Sequence, residues 1–333
     1  MNMSVRRGVV VTVFTLVWGI MLLVPLVAAA QAFWPKDTPK LPMTKTWTAL
    51  KSKLPPFTPS RTPDGVPDLQ GVWGDSGADG QADLEDHEWL DVTTPPQESV
   101  ISDPPDQKVP YLPWALALRD QFRKGLGRGW PGEAGPRSHV ASRQLCIHAM
   151  PRIHIDGGQE IVQTPGSVII ISSTGWHRVI PTDGRPSVGG NARFWFGSSR
   201  GHWEGDTLVV EVTNLNGKGW FDYAGNFMTA NTRLVERWRL ADANTIDYEV
   251  TVEDPTTFSR PWKMNYPKRR EGTGPTGGPR ALPGATTGLP SRMATNPYAK
   301  EVWEEACFEG NHENTVTLHE IGFKWFSGVT PPK

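Results

Sequence analysis

The stretch that decides the fold is TIDYEVTVE, residues 245–253, in which apolar and polar side chains alternate. One face carries Ile246, Tyr248, Val250 and Val252, and the other carries Asp247, Glu249, Thr251 and Glu253. A period of two with one apolar and one polar face is typical of an antiparallel strand that packs one side on a core and leaves the other in water.

Comparable segments flank this strand on both sides. The first begins in DLQGVWG, residues 68–74. Further predicted strands are Gln159–Thr164, Ser167–Ser173, Trp176–Pro181, Arg193–Phe196, Gly201–Trp203, Thr207–Asn214, Arg233–Leu240, Trp262–Tyr266 and Lys300–Phe308. Short turns with glycine separate many of them. Consecutive strands joined in this way predict an all-β fold, an antiparallel meander that closes as an up-and-down barrel or folds as a sandwich.

One short helix is predicted over Pro113–Lys124. Pro113 suits the first helical position, because its missing N–H is not needed there, and Gly125 ends the helix.

The first thirty residues differ from the rest of the chain. Arg6 and Arg7 precede an uncharged apolar run that ends in small residues around Ala30. This pattern predicts a secretory signal peptide over residues 1–30 and a periplasmic or secreted location. The run is long enough to span a bilayer, so an uncleaved membrane anchor is the alternative.

The remaining chain divides by composition. Residues 31–66 are rich in Pro and Lys, which predicts an extended linker. Residues 67–327 are predicted to form a single β-rich domain. Within it, residues 269–297 form a long Gly/Pro-rich loop, and a loop of that length is either a functional lid or disordered.

The net charge and the aromatic content limit the kinds of partner that this chain is expected to bind. The formal net charge is −1, and without residues 1–30 it becomes 32 − 35 = −3, so no basic face for nucleic acid is predicted. The 15 Trp outnumber the 12 Phe and 5 Tyr, and large amphipathic rings line both cores and ligand clefts. No phosphate-binding or dinucleotide fingerprint is present, so no cofactor is predicted.

The chain has two cysteines, Cys146 and Cys307. In an oxidising periplasm two such thiols are expected to pair as a disulfide, and two buried free thiols are the alternative. Cys146, His148 and His154 follow no zinc-binding spacing, so no metal site is predicted.

Glu236 is the leading candidate for a functional residue. In RLVERWRL, residues 233–240, it shares the apolar face with Leu234, Trp238 and Leu240, whereas the arginines occupy the other face. A buried carboxylate is costly unless it is paired, so Glu236 either has an internal ion-pair partner, Arg178 or Arg193, or serves a site.

His177 is the second catalytic candidate, and together with an inward Glu236 it would make an acid–base couple. The predicted ligand-binding residues are Trp73, Arg178, Trp203, Trp238 and Tyr248.

Two other polar clusters have simpler explanations. In GHWEGDTLVVEVTN, residues 201–214, Glu204 and Asp206 are predicted to form a turn and Glu211 to be solvated, whereas His202 remains a weaker candidate. The acidic run at residues 83–91 lacks the alternating ligands of a calcium loop, so it is predicted to be a solvated loop.

These motifs together resemble a widespread family of secreted bacterial proteins. The matching motifs are DLQGVW (68–73), YLPWA (111–115), IVQTPG (161–166), TDGRP (182–186), HWEGDTLVV (202–210), ERWR (236–239) and EACFEGN (305–311). The resemblance implies an exported β-rich domain and provides no catalytic residues to carry over. Ser187 and Phe308 stand where relatives often have His. GVW, residues 71–73, is also similar to a lipocalin element, and it favours a lipocalin- or calycin-like barrel.

Three functions are consistent with these observations. The first is a periplasmic protein that binds a small apolar or aromatic molecule in a Trp-rich barrel cavity. The second is an enzyme, such as a hydrolase, lyase or isomerase, that acts on a similar molecule through Glu236 and His177. The third is a carbohydrate-binding module that displays Trp rings on its surface.

Overall fold

The computed structural model describes residues 39–74, 83–89, 95–124, 139–140, 142, 146–147, 149–151, 158–172, 175–270, 316–317, 319–320 and 324–332. The predicted signal peptide, nearly all of the 269–297 loop and the predicted strand Lys300–Phe308 lie outside these residues. Within the described part of the chain, no helix is long and apolar enough to cross a membrane.

The described chain is mostly antiparallel β-sheet. Its helices are α1 (Thr44–Lys51) and α2 (Pro113–Lys124). Its strands are β1 (Gly71–Gly74), β2 (Ile101–Asp103), β3 (His139–Val140), β4 (Gln159–Thr164), β5 (Ser167–Ser172), β6 (His177–Pro181), β7 (Ser198–Glu204), β8 (Thr207–Thr213), β9 (Arg233–Asp242), β10 (Thr245–Glu253), β11 (Trp262–Arg270) and β12 (Lys324–Trp325). The large sheet has the order β6-β5-β4-β1-β11-β10-β9-β8-β7, and β2 also pairs with β11.

This order is a meander that nearly closes on itself. Followed round from β1, the strands come in chain order, β4 to β6 and then β7 to β11, and β11 pairs again with β1. The all-β, antiparallel up-and-down barrel predicted from the sequence is therefore confirmed.

The barrel remains open between β6 and β7, which form no backbone ladder with each other. The nine strands of the ring pair antiparallel wherever they pair, and an odd number of strands cannot alternate all the way round. β6 and β7 consequently run in the same direction, and residues 182–197 connect them. Their contact, here called the seam, is made by side chains: Arg178 Nε donates to Ser199 Oγ at 2.9 Å. A methyl group on Gly201 would lie 2.9 Å from Ile180 Cγ2, so the strands approach closely there.

Alternation along the strands fills the interior. In β9 and β10 the inward positions are buried as predicted, with Leu234, Glu236, Trp238 and Leu240 on β9 and Ile246, Tyr248, Val250 and Val252 on β10. β-branched and aromatic residues suit these positions, because they pack well on a pleated, half-buried surface. The pattern in β8 is less regular: Val209 is buried although it alternates with the inward Leu208 and Val210. Val209 stands between His202 and Arg237 in the register, and side chains of that length cover a neighbour on the same face.

Helix α2 has the predicted bounds, and α1 lies within the predicted linker, residues 31–66. Trp47 of α1 is 1% exposed, and its Nε1 donates to Asp247 Oδ1 at 2.7 Å on the outer face of β10. Lys51 Nζ donates to Asn265 Oδ1 of β11 at 2.7 Å. This part of the chain therefore packs against the barrel.

The predicted strand Arg193–Phe196 is wrong. Within these residues only Phe194 makes a bridge, an isolated one to Leu215.

Candidate functional site

A buried ion pair crosses the interior of the barrel. Glu236 on β9 is 0% exposed, and Arg178 on β6 is 3% exposed. Arg178 Nη2 donates to Glu236 Oε2 at 2.5 Å. β6 and β9 are not neighbours in the sheet, so the pair joins two separate parts of the barrel wall. One of the two partners that the sequence suggested for Glu236 is therefore the observed one, whereas Arg193 is exposed and donates to the carbonyl of Ala230.

Two hydroxyl groups complete this polar centre, defined here as Arg178, Ser199, Glu236 and Tyr248. Tyr248 OH donates to Glu236 Oε1 at 2.7 Å, and Ser199 Oγ accepts from Arg178 Nε at 2.9 Å. Burial, followed by the nearby Glu236 charge, raises the pKa of Tyr248 well above its usual value. Tyr248 therefore stays protonated and remains a hydrogen-bond donor.

An aromatic row lies beside the polar centre. The register aligns Trp203 with Leu208, Leu208 with Trp238, Trp238 with Tyr248, and Tyr248 with Tyr266. The rings of Trp238 and Tyr248 are 4.5 Å apart and those of Tyr248 and Tyr266 are 5.1 Å apart. Trp238, Tyr248 and Tyr266 are buried, and Trp203, next to the seam, is half-buried. The row thus leads from the seam to the polar centre.

This arrangement limits the chemistry of Glu236. Both of its oxygens already accept hydrogen bonds, and its charge is balanced by Arg178. A carboxylate held in this way is a recognition or structural group, and it would have to release a partner before it took a proton from a substrate.

His177 does not approach Glu236. It is exposed, and it pairs in register with Ile171 on the outer face of the sheet. Adjacent residues of a strand point to opposite faces, so the inward Arg178 places His177 outside. The acid–base couple suggested by the sequence is not formed in this structure.

Trp73 lies apart from the polar centre. It is fully buried in β1, and its Nε1 donates to the carbonyl of Leu69 at 2.9 Å. The Arg270 guanidinium carbon lies 4.2 Å from its ring centroid, which is a close cation–π contact. Trp73 is well placed to hold β1 against β11.

The cluster in residues 201–214 is a hairpin, as predicted. Gly205 has a φ of +58°, which favours glycine, and with Asp206 it joins β7 to β8. Glu204 accepts from His202 and Arg237, and the half-exposed Glu211 pairs with Arg233 at 3.1 Å. These side chains lie on the outer face, away from the polar centre.

The acidic run was misjudged as a solvated loop. In its described part, residues 83–89, Asp83 is 0% exposed, Glu85 4% and His87 6%. Asp86 and Glu88 do face water. No group of His, Cys, Asp and Glu able to hold a metal occurs among the described residues, and His148 and His154 lie outside them.

Cys146 is buried, and the described residues include no free cysteine. Cys307 lies outside them, so the pairing of Cys146 with Cys307 stays a prediction.

Sequence reasoning missed two parts of the interior. Ser199 carries no local sign of its role in the polar centre, because no pattern in the sequence indicates that β6 and β7 meet. Asp222 and Asn226, which are both 0% exposed, carry no local signal of burial.

No protein-family model, curated protein or solved structure matches this chain. The resemblance to secreted bacterial proteins therefore stays a prediction, and function has to be argued from the geometry.

Proposed function

We propose that the protein binds a small apolar or aromatic molecule in the barrel and that the polar centre orients it. The observation that carries this proposal is the aromatic row beside a charge-balanced polar centre inside a nearly closed barrel. Ligand sites of proteins are typically concave and aromatic, with a few fixed polar groups.

The seam is the proposed route of entry. Trp203 is the half-buried member of the aromatic row and lies on β7, where backbone pairing with β6 is missing. A ligand would first contact Trp203 and then reach the rings of Trp238 and Tyr248. Because Arg178 and Glu236 neutralise each other, a neutral ligand with one hydrogen-bonding group suits this centre better than a charged one.

We also propose that the protein is exported, on the basis of the charge pattern and apolar run of residues 1–30. Surface carbohydrate binding is disfavoured, because none of the tryptophans that the structure describes is fully exposed. A carbohydrate platform needs rings displayed to solvent.

The first test is native mass spectrometry on protein purified from the periplasm, compared with its denatured mass. We expect a retained small molecule, or, for an empty protein, saturable binding of the neutral probe N-phenylnaphthylamine. Trp203→Ala should weaken probe binding at least tenfold, whereas Trp114→Ala, at a half-buried Trp on α2, should not. Equal effects of the two substitutions, or no binding by the wild type, would reject the proposed site.

Glu236→Gln separates binding from catalysis. If the retained molecule is also turned over, loss of turnover with unchanged affinity would make the protein an enzyme that uses Glu236. Loss of stability alone would make Glu236 a structural residue.

A further inference from the structure

A second buried polar cluster lies where three parts of the chain meet. These are the acidic segment, residues 83–89, helix α2, and the loop formed by residues 219–229. Asp83 comes from the acidic segment and Asp222 from the loop, and both are 0% exposed. Two carboxyl groups withdrawn from water in one place are expensive unless they are neutralised.

A hydrogen bond places the Asp222 carboxyl against the backbone of the acidic segment, next to Asp83. The backbone N–H of Leu84 donates to Asp222 Oδ2 at 2.9 Å, so this carboxyl lies next to the peptide bond that joins Asp83 to Leu84. Asp222 also accepts from the backbone N–H of Asn226 at 3.1 Å and from its side-chain amide. The acidic segment is thus tied to the 219–229 loop through Asp222 itself.

The surrounding charges do not balance the two carboxylates. Arg123 of α2 pairs with Asp83 at 2.8 Å. The other ionisable groups around the cluster are Glu85, which pairs with Lys108, together with His87, Tyr111, and the neighbours Arg119 and Asp120 on α2. Among the described residues, Asp83 pairs with Arg123, whereas Asp222 accepts its hydrogen bonds from uncharged N–H groups. The rings of Phe122, Trp220 and Phe227 pack against one another in the same region.

The balance of these effects favours a proton on the pair. Burial raises the pKa of Asp222 to about 7, and the Asp83 charge is the second cause, whereas the bonds from Asn226 and Leu84 oppose the shift. Burial also raises the pKa of Asp83, against the opposing charge of Arg123. Like charges at short range cannot both ionise readily, which is the behaviour of carboxyl dyads.

We propose that the Asp83–Asp222 pair carries a single proton, held by Asp222, and that loss of this proton loosens the acidic segment from α2 and the 219–229 loop. The pair then acts as a pH-responsive latch on this side of the barrel. Two adjacent carboxylates repel each other once the proton has left, and exposure of the acidic segment to water relieves both the repulsion and the desolvation.

The sign of the pH dependence follows from linkage. The pKa of Asp222 is raised on folding, so its protonation stabilises the closed state fully below its ordinary value of 3.8. That stabilisation is lost as the pH rises from about 4 to about 7. Over this range the equilibrium constant for detachment of the acidic segment, the opening equilibrium, should rise by up to about tenfold per pH unit. Above that range the opening equilibrium should no longer change through this group.

Hydrogen–deuterium exchange of the full chain at pH 5 and pH 7 tests the latch. After correction for intrinsic exchange rates, protection in peptides covering residues 83–89 and 219–229 should fall markedly between the two pH values. Asp222→Asn should abolish this fall, because the amide cannot lose a proton. Asp206→Asn, at a half-exposed carboxylate of the β7–β8 turn, should retain it. The same fall in Asp222→Asn as in the wild type, or no fall in the wild type, would overturn the proposal.

A second measurement applies if Asp222→Asn does not fold. Infrared difference spectra of the wild type between pH 5 and pH 8 should show the loss of a protonated, buried carboxyl band. In Asp83→Asn this loss should shift to lower pH, because the neighbouring charge is gone. The proposal of a single proton on this pair would be contradicted if the wild type lacked the band. It would also be contradicted if the band disappeared at the same pH in Asp83→Asn as in the wild type.

Discussion

Replacing one partner of the Arg178–Glu236 ion pair should lower the free energy of unfolding more than expected from replacing both partners together. Glu236→Gln keeps the size of the side chain and an acceptor for Tyr248, but it leaves the Arg178 guanidinium buried without its countercharge. Because both side chains are almost completely buried and joined at 2.5 Å, we expect the free energy of unfolding to fall by about 3–5 kcal/mol. Arg178→Met should lower it by a similar amount, since it removes the guanidinium that pairs with the Glu236 carboxylate.

The double variant Arg178→Met/Glu236→Gln carries neither charge. It should be less destabilised than the sum of the two single variants by about 2–3 kcal/mol, the upper part of the range of about 0.5–3 kcal/mol found for residues in direct contact. Urea unfolding with linear extrapolation measures these differences, provided the denaturant slope stays constant. Additivity within about 0.5 kcal/mol would refute the argument that the pair is a buried, coupled contact.

A surface pair provides the control. Arg61 and Asp206 lie 2.7 Å apart, but their side chains are 47% and 39% exposed. The same cycle there should give a coupling of about 0–1 kcal/mol, because water screens exposed charges.

Three further predictions concern the seam, the N-terminal helix and the disulfide. Gly201→Ala should lower stability by about 1–3 kcal/mol through overpacking, as measured by thermal unfolding, whereas Gly190→Ala, at an exposed position where a methyl group would contact nothing, should not. Trp47→Ala should cost about 3–5 kcal/mol, and a cost below 1 kcal/mol would show that α1 does not stabilise the barrel. Cys146→Ser should cost roughly 4–5 kcal/mol if the predicted disulfide forms, and an intact mass two hydrogens below that of the reduced chain would establish the bond.

Much of the fold could be predicted from local pattern. The alternation in residues 245–253 placed four residues correctly, and the same argument turned Glu236 inward. Arg178 was one of the two ion-pair partners suggested for it. Such inferences succeed because the side-chain period of a strand is set by its own backbone.

The remaining features depend on contacts that a single sequence does not display. α1 was missed because the Pro- and Lys-rich composition around it masks an eight-residue helix whose packing depends on Trp47 and a distant Asp247. The burial of Asp83 depends on Asp222 and Arg123, which come from two other parts of the chain. His177 and Arg178 are adjacent on β6, so only one of them can face Glu236, and Arg178 is the inward one.

The missing ladder between β6 and β7 has a mechanical consequence. Opposite the seam, β1 joins β11 through only two register pairs, Trp73 with Arg270 and Gly74 with Arg269. The wall therefore consists of two runs of paired strands, called shells here, β4–β6 and β7–β11. They are joined at β1, called the hinge, and bridged inside the barrel by the Arg178–Glu236 pair, called the clasp. We expect the shells to swing apart without breaking a single strand ladder when the clasp is removed. Spin labels at Val179 and Glu211, one on each shell, should then report a broader distance distribution in Glu236→Gln, and an unchanged distribution would mean that the hinge is rigid.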